Sequence, residues 1–167
     1  MAIQTAIDEG QAAGHLVGLI AGGIPLVFGL WWLYFSRENT DVMLGRSITL
    51  NMIWGSGHYF VFASAAAVGA GLAVRVDHYA HHSASAGLLT AGSVTVPTAV
   101  LVASIYVFHV SQHDRSPLVV GAFATAVVVV LLGTVTPVPE LVAGLTCAVL
   151  VGVTVVRRPG APLAARG

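Results

Sequence analysis

A histidine inside the second long apolar stretch is the residue best placed to do chemistry. His58 lies eleven residues after Ser47, where that stretch begins, which is about 16 Å along a helix that rises 1.5 Å per residue. Asn51 lies seven residues before His58 and therefore on the same helical face, with Trp54 between them. Polar groups inside a membrane-spanning helix often mark ligand or proton sites. The spacing predicts an intramembrane polar site of Asn51, Trp54 and His58, near the middle of the bilayer.

Two interpretations of this site stay open. In one, His58 binds a ligand or a proton; in the other, it is a neutral imidazole whose hydrogen bond to another helix stabilises the fold. A catalytic pair with Ser56 is not expected, because residues two apart on a helix point about 200° away from each other. A serine nucleophile and its base must be within hydrogen-bond reach. We therefore predict no catalytic residues.

A second group of imidazoles follows the same helix. His78, His81 and His82 are spaced so that two of them share a face if the helix continues. Such pairs can bind a transition metal, which makes these three residues candidate metal ligands. The alternative is a solvated polar loop, since established zinc patterns need further ligands at set spacing. His109 and His113 are expected at the membrane interface.

The absence of certain residues narrows the functional classes. The chain has seven arginines and no lysine, which excludes a retinal Schiff base and offers no basic patch for nucleic acid. No glycine-rich phosphate loop is present, so we expect no cofactor. No acid lies at a predicted span centre, where ion-coupled pumps often have a carboxylate. The seven acids are Asp8, Glu9, Glu38, Asp41, Asp77, Asp114 and Glu140.

The composition identifies the elements that must position these residues. Hydrophobic residues make up 56% of the 167 residues, charged residues make up 8%, and the mean hydropathy is +0.87. These values are typical of a membrane protein, in which a helix needs about 20 mostly apolar residues to cross the hydrocarbon layer. We predict an all-α polytopic membrane helical bundle forming a single domain. Its five transmembrane helices span about 13–35, 47–74, 87–109, 117–135 and 140–156.

The arginines predict the orientation, because positively charged loops tend to stay in the cytoplasm. With five spans and the N-terminus outside, six of the seven arginines lie on the cytoplasmic side and only Arg75 lies outside. Trp31, Trp32 and Tyr34 then fall at the cytoplasmic interface, where aromatic rings are favoured. We therefore expect a multi-pass protein of the inner (plasma) membrane with a cytoplasmic C-terminus.

Small residues predict where helices approach each other, since packing in lipid depends on close van der Waals contact. Glycines or alanines recur every four residues in three of the predicted spans, which favours a homo-oligomer or association with another membrane subunit. Pro137 and Pro139 predict a tight turn and a hairpin of the last two spans. The small-residue sets are Gly14, Gly18 and Gly22; Ala63, Ala67 and Gly71; and Gly144, Ala148 and Gly152.

Several segments resemble one known family. HLVGLIAGGIPLVFGLWWLYFSR, at 15–37, is similar to the tryptophan-rich span that opens the C-terminal half of bacterial low temperature requirement A (LtrA) proteins. GHYFVFASAAAVGAGL, at 57–72, resembles the next span of that family, and YVFHV and the arginine-rich tail fit the same layout. Members are usually about twice as long and carry an acidic, phenylalanine-rich N-terminal half, so we expect a half-length member or a fragment. The resemblance implies a membrane protein linked by name to growth in the cold and supplies no catalytic residues.

Three functions follow as hypotheses. The first is a non-enzymatic helical bundle of the LtrA type that oligomerises in the lipid bilayer. The second is a small-solute or ion transporter or channel that uses Asn51 and His58. The third is a metal-dependent membrane hydrolase built on the outer histidines.

Overall fold

The computed structural model describes residues 2–36, 48–81 and 87–157. Over these residues the chain is helical and has no strand, which confirms the predicted all-α class. A π-helical turn at Tyr106–Val110 extends the third helix, and a 3-10 turn at Gly133–Val135 extends the fourth. The helices are α1 (Ala2–Phe35), α2 (Ile48–His81), α3 (Gly87–Ile105), α4 (Pro117–Leu132) and α5 (Pro139–Val156).

Each of the five helices contains a stretch long and apolar enough to cross a bilayer. Large apolar side chains face outward along them; Phe28 is 66% exposed and Leu132 is 62% exposed. Leaving so much apolar surface in water would be unfavourable, whereas lipid solvates it. The chain is therefore a polytopic membrane protein. The stretches are Val17–Phe35, Trp54–Tyr79, Gly87–Val110, Pro117–Val135 and Pro139–Val156.

Prolines begin two of the helices. Pro117 and Pro139 lie in the first turns of α4 and α5, where a missing N–H removes no intrahelical hydrogen bond. Ser116 before Pro117 has the extended backbone that a following proline favours. Glu140 lies in the first turn of α5, where the helix dipole stabilises a carboxylate. The predicted hairpin is present, because α4 and α5 pack against each other across this short turn.

The helices pack mainly as two pairs. α1 packs mostly against α5, and α2 packs mostly against α3, while α4 contacts both α3 and α5. Gly22 of α1 lies beside Glu140 of α5, and Gly29 lies beside Cys147 further along both helices. Positions along both helices therefore advance in the same direction, so α1 and α5 run parallel.

Three predicted small-residue positions lie directly against the backbone of a neighbouring helix. A Cβ on Gly22 would lie 2.4 Å from the carbonyl carbon of Glu140, and one on Gly71 of α2 would lie 2.1 Å from the carbonyl oxygen of Ser93. Gly144 similarly faces the Gly22 carbonyl oxygen. Because backbone atoms occupy these positions, no side chain larger than hydrogen fits without separating the helices.

The other residues of the first and third small-residue sets lie away from these contacts. A Cβ added at Gly14, Gly18 or Gly152 would have no neighbour within 4 Å among the atoms that the structure describes, and Ala148 is exposed. The small-residue pattern therefore includes some residues at contacts between helices. It does not distinguish these residues from small residues that face outward.

α1 and α2 touch much less than the helices of either pair. An apolar groove of about 380 Å³ lies between them. Leu101 and Ile105 of α3 are buried residues at this groove. Tyr34 of α1 and Phe62 of α2 line it close to the predicted histidine site.

Candidate functional site

The hydrogen bond of His58 identifies which ring nitrogen is free. His58 Nδ1 lies 2.9 Å from the carbonyl oxygen of Trp54, one helical turn earlier on α2. A carbonyl oxygen only accepts, so Nδ1 must donate its hydrogen. Nε2 is therefore the unprotonated nitrogen of the neutral ring and keeps its lone pair.

Aromatic rings from three helical segments surround this imidazole. The ring centroid of His58 lies 4.1 Å from that of Trp54, 5.2 Å from that of His109 and 5.8 Å from that of Phe108. Tyr34 of α1 and Phe62 of α2 lie slightly further away, at 6.4 and 6.3 Å. We call these six residues, His58 with its five ring neighbours, the imidazole cluster.

His109, which the sequence predicts at the membrane interface, is buried inside the bundle. Its side chain stacks at 4.4 Å on the ring of Tyr34, and the residue is only 4% exposed. Its Nδ1 atom is buried and has no hydrogen-bond partner among the described residues. A buried polar atom without a partner costs about 1–3 kcal/mol, and such atoms are rare enough in native proteins to require an explanation.

The π-helical turn explains why a residue at the end of α3 faces inward. Ser111 N donates to Tyr106 O at 2.8 Å, five residues earlier, so the backbone is wider here than in an α-helix. The Trp54 indole Nε1 donates to Phe108 O, at 3.3 Å, which joins α2 to this turn. π-Helical turns of this kind frequently occur at functional sites. The motif YVFHV gives no indication of this geometry.

Gly57 provides the space for the phenylalanine of this turn. A Cβ on Gly57 would lie 2.3 Å from the ring of Phe108, whereas Gly55 has nothing within 4 Å. The glycine beside His58 is therefore a packing requirement of the imidazole cluster.

The structure brings together two of the three residues of the predicted polar site. Trp54 and His58 are in contact, and Asn51 lies on the same helix with its side chain outside the described residues. Counting from Ser47 places His58 near mid-membrane, but its neighbours Tyr34 and His109 lie within the last turns of α1 and the π-helical turn. The cluster is thus close to one end of the bundle. Ser56 is exposed, and no described hydrogen bond joins it to His58.

A second polar group, which the sequence analysis misses, lies at the opposite end of α2. Arg75 Nε donates to Glu140 Oε1 of α5, and the two residues are 4% and 1% exposed. Arg75 Nη1 also donates to Thr90 Oγ1 at 3.2 Å, and Nη2 donates to the Tyr79 hydroxyl. The arginine distribution predicts Arg75 outside the membrane, whereas its side chain is buried in the bundle. One feature of the sequence could have indicated this ion pair, because Arg75 and Glu140 have opposite charges and lie at the same predicted membrane surface.

His78, one of the three candidate metal ligands, lies near this ion pair. His78 lines a cleft of about 590 Å³ together with Arg75, Tyr79 and the turn before α5. The side chain of His81 and the whole of His82 lie outside the described residues, so their proposed metal site stays a prediction. Among the residues that the structure describes, no three histidine, cysteine or acidic side chains are grouped to hold a metal.

The interior between the two polar groups is mostly apolar. Along α2 the buried residues between His58 and Arg75 include Val61, Val68 and Ser64, whose hydroxyl bonds to carbonyls of its own helix. The imidazole cluster can therefore bind a ligand through ring nitrogens. Among the described residues, the interior between this cluster and Arg75 is apolar apart from hydroxyls such as those of Ser64, Thr95 and Thr98, which bond to carbonyls of their own helices.

One comparison with known proteins gives a match. The family model described as bacterial low temperature requirement A protein (LtrA) matches residues 1–156. No curated protein and no solved structure matches the chain.

Proposed function

This chain belongs to the bacterial low temperature requirement A family, and on that premise we propose that it is a non-enzymatic membrane protein that binds and passes a small solute or ion. The observation that supports the proposal is the unpartnered Nδ1 of His109, buried beside His58. Ionisable groups inside membrane proteins face functional cavities far more often than lipid. The cluster contains no nucleophile beside a base, which favours binding over hydrolysis.

Passage requires a change of conformation. The buried residues between the imidazole cluster and Arg75 are largely apolar, and the hydroxyls of Thr95 and Thr98 among them bond to carbonyls of their own helix. Few polar groups are therefore free to solvate an ion in this conformation. α1 and α2 contact each other only weakly. We therefore expect the pair of α1 with α5 to separate from the pair of α2 with α3 between these two helices. The proposed carrier therefore alternates between states, as transporters do, and is not an open channel.

Flux measurements in proteoliposomes test this proposal. We expect reconstituted protein to carry at least one of four probes, namely protons, sodium, potassium and monovalent copper, and His58→Leu to lower that flux at least tenfold. Ser56→Leu is the matched control, because Ser56 is exposed two residues away on the same helix. Unchanged flux and unchanged thermal stability in His58→Leu would contradict the proposal.

We also propose the orientation and the membrane. Six arginines on one side favour a cytoplasmic C-terminus and insertion in the inner membrane. The seventh, Arg75, is neutralised by Glu140 inside the bundle. It therefore counts less against a cytoplasmic C-terminus than an arginine in an outside loop would.

An oligomer is proposed from the small residues that face outward. Ala148 and Gly152 leave a shallow surface on α5 that no described helix covers, and such surfaces allow close approach in lipid. We expect light scattering in mild detergent to give a particle mass of at least two chains. Gly152→Leu should reduce that mass, whereas Gly69→Leu on α2, which also has open space, should not. A monomer at every protein concentration would refute the oligomer.

A further inference from the structure

We infer that His58 and His109 bind a soft monovalent metal cation, Cu(I). The inference rests on the proposed function and names the ion held at that site. It is distinct from the metal site predicted at His78, His81 and His82, which lies at the other end of α2.

Each imidazole contributes one nitrogen without a hydrogen-bond partner among the described residues. Nε2 is the free nitrogen of His58, because Nδ1 donates to the Trp54 carbonyl. Nδ1 of His109 is buried without a partner, and in the tautomer protonated at Nε2 it carries a lone pair that can bind a metal. A bound cation would supply that partner and remove the desolvation cost of about 1–3 kcal/mol. Neutral imidazole is also among the commonest metal ligands in proteins.

The separation of the rings fits a shared metal. The two ring centroids lie 5.2 Å apart, with the ring planes at 66°. Two imidazoles whose nitrogens are each about 2.0 Å from one metal have centroids roughly 5–6.5 Å apart, the shorter value for a bent arrangement. The observed separation corresponds to a bent arrangement of the two nitrogens, which leaves a position for a third ligand on Cu(I).

The charge of the surroundings selects a monovalent ion. The structure places no carboxylate or thiolate in the imidazole cluster, and no group of three metal-binding side chains occurs in the described ranges. The cost of desolvating an ion rises with the square of its charge, so a divalent ion without anionic ligands costs about four times as much as a monovalent one. Zn²⁺ also prefers four ligands.

The aromatic rings favour the same choice. The ring centroids of Trp54 and Phe108 lie 4.1 and 5.8 Å from that of His58, so an ion held by His58 would have π-systems nearby, and π-systems attract cations. Imidazole suits both copper and zinc. The preference for Cu(I) over Zn²⁺ therefore rests on the single charge of the ion and on the small number of ligands.

A competition titration tests the inference. The full chain, purified in detergent with the substitution Cys147→Ala so that no thiol competes, is titrated anaerobically against a chromogenic Cu(I) chelator. We expect one Cu(I) per chain with at least tenfold weaker binding in His58→Leu and in His109→Gln. Zn²⁺ should bind more weakly than Cu(I), and Cu(I) should quench Trp54, a signal lost in Trp54→Phe.

Ser56→Leu is the control, because Ser56 is exposed two residues from His58 on the same helix; its Cu(I) affinity should equal that of the parent. Binding that survives in the His58→Leu and His109→Gln double variant, or that is lost in Ser56→Leu, would overturn the site. So would the absence of Cu(I) binding to folded protein, with folding checked by circular dichroism. If Cu(I) does not bind but His58→Leu still lowers flux of another probe, the copper assignment fails and the proposed transport function stands.

Discussion

Gly22 and Gly23 are neighbours on α1 with opposite surroundings, so they form a matched pair. A side chain at Gly22 meets the backbone of Glu140 at 2.4 Å, whereas Gly23 has nothing within 4 Å. Backbone cannot give way as a flexible side chain can, and overpacking typically costs about 1–3 kcal/mol or more. We expect Gly22→Leu to lower the unfolding midpoint strongly and Gly23→Leu to leave it nearly unchanged.

The single cysteine provides the measurement for this pair. Cys147 is 0% exposed, so a thiol-reactive dye labels it only when the bundle opens, and labelling during heating in detergent reports unfolding. Equal midpoints for the two variants would show that the close contact of α1 with α5 is not important for stability.

Single residues also show which features of the candidate site can be predicted from the sequence. The pairing of Trp54 with His58 follows from their four-residue spacing on one helix, and the sequence places both in one site. The interfacial depth of His109 stays a prediction, and its burial in the bundle is not predictable, because the π-helical turn that directs it inward leaves no pattern in YVFHV. Opposite charges at one predicted membrane surface indicate that Arg75 and Glu140 could pair. Their burial is not predictable, because they lie 65 residues apart in the chain and only tertiary packing brings the two together.

At the scale of elements, the ion pair of Arg75 and Glu140 joins α2 to α5. Removing one partner leaves the other charge buried, which typically costs about 3–5 kcal/mol. We expect Glu140→Gln to destabilise the bundle by an amount of this order. The double variant Arg75→Met and Glu140→Leu should recover much of the loss, since well-packed apolar replacements of a buried ion pair are often neutral.

Thermal unfolding of the parent, the single variant and the double variant measures this recovery. A single variant as stable as the parent would mean that the pair is solvated and contributes little. A double variant less stable than the single one would mean that Arg75 is stabilised mainly by Thr90 and Tyr79.

The number of helices is easier to predict from the sequence than their arrangement. Five apolar stretches predict five helices, because length and hydropathy decide whether a segment can cross lipid. Helix pairing is not predictable, since outward and inward faces are both apolar in a membrane and give no amphipathic pattern. The parallel packing of α1 with α5 depends on contacts such as that of Gly22 with Glu140, which hydropathy does not encode.

At the scale of the whole molecule, the proposed orientation predicts which turns each side of the membrane can reach. In a Cys147→Ala background, Gln112→Cys lies in the turn between α3 and α4 and Thr136→Cys lies in the turn between α4 and α5. An impermeant maleimide added to intact cells should label Thr136→Cys and not Gln112→Cys. Both should react after the cells are opened, and the reverse pattern in intact cells would invert the topology.

The parallel pair of α1 and α5 has a consequence for biogenesis. During synthesis α1 leaves the ribosome first of the five helices and α5 leaves last, yet each is the other's main neighbour. The nascent α1 must therefore wait in the bilayer, stable as a lone helix, until the final hairpin has been inserted. Its small-residue surface is open to other membrane helices throughout that interval, so misassembly of this protein should begin at α1.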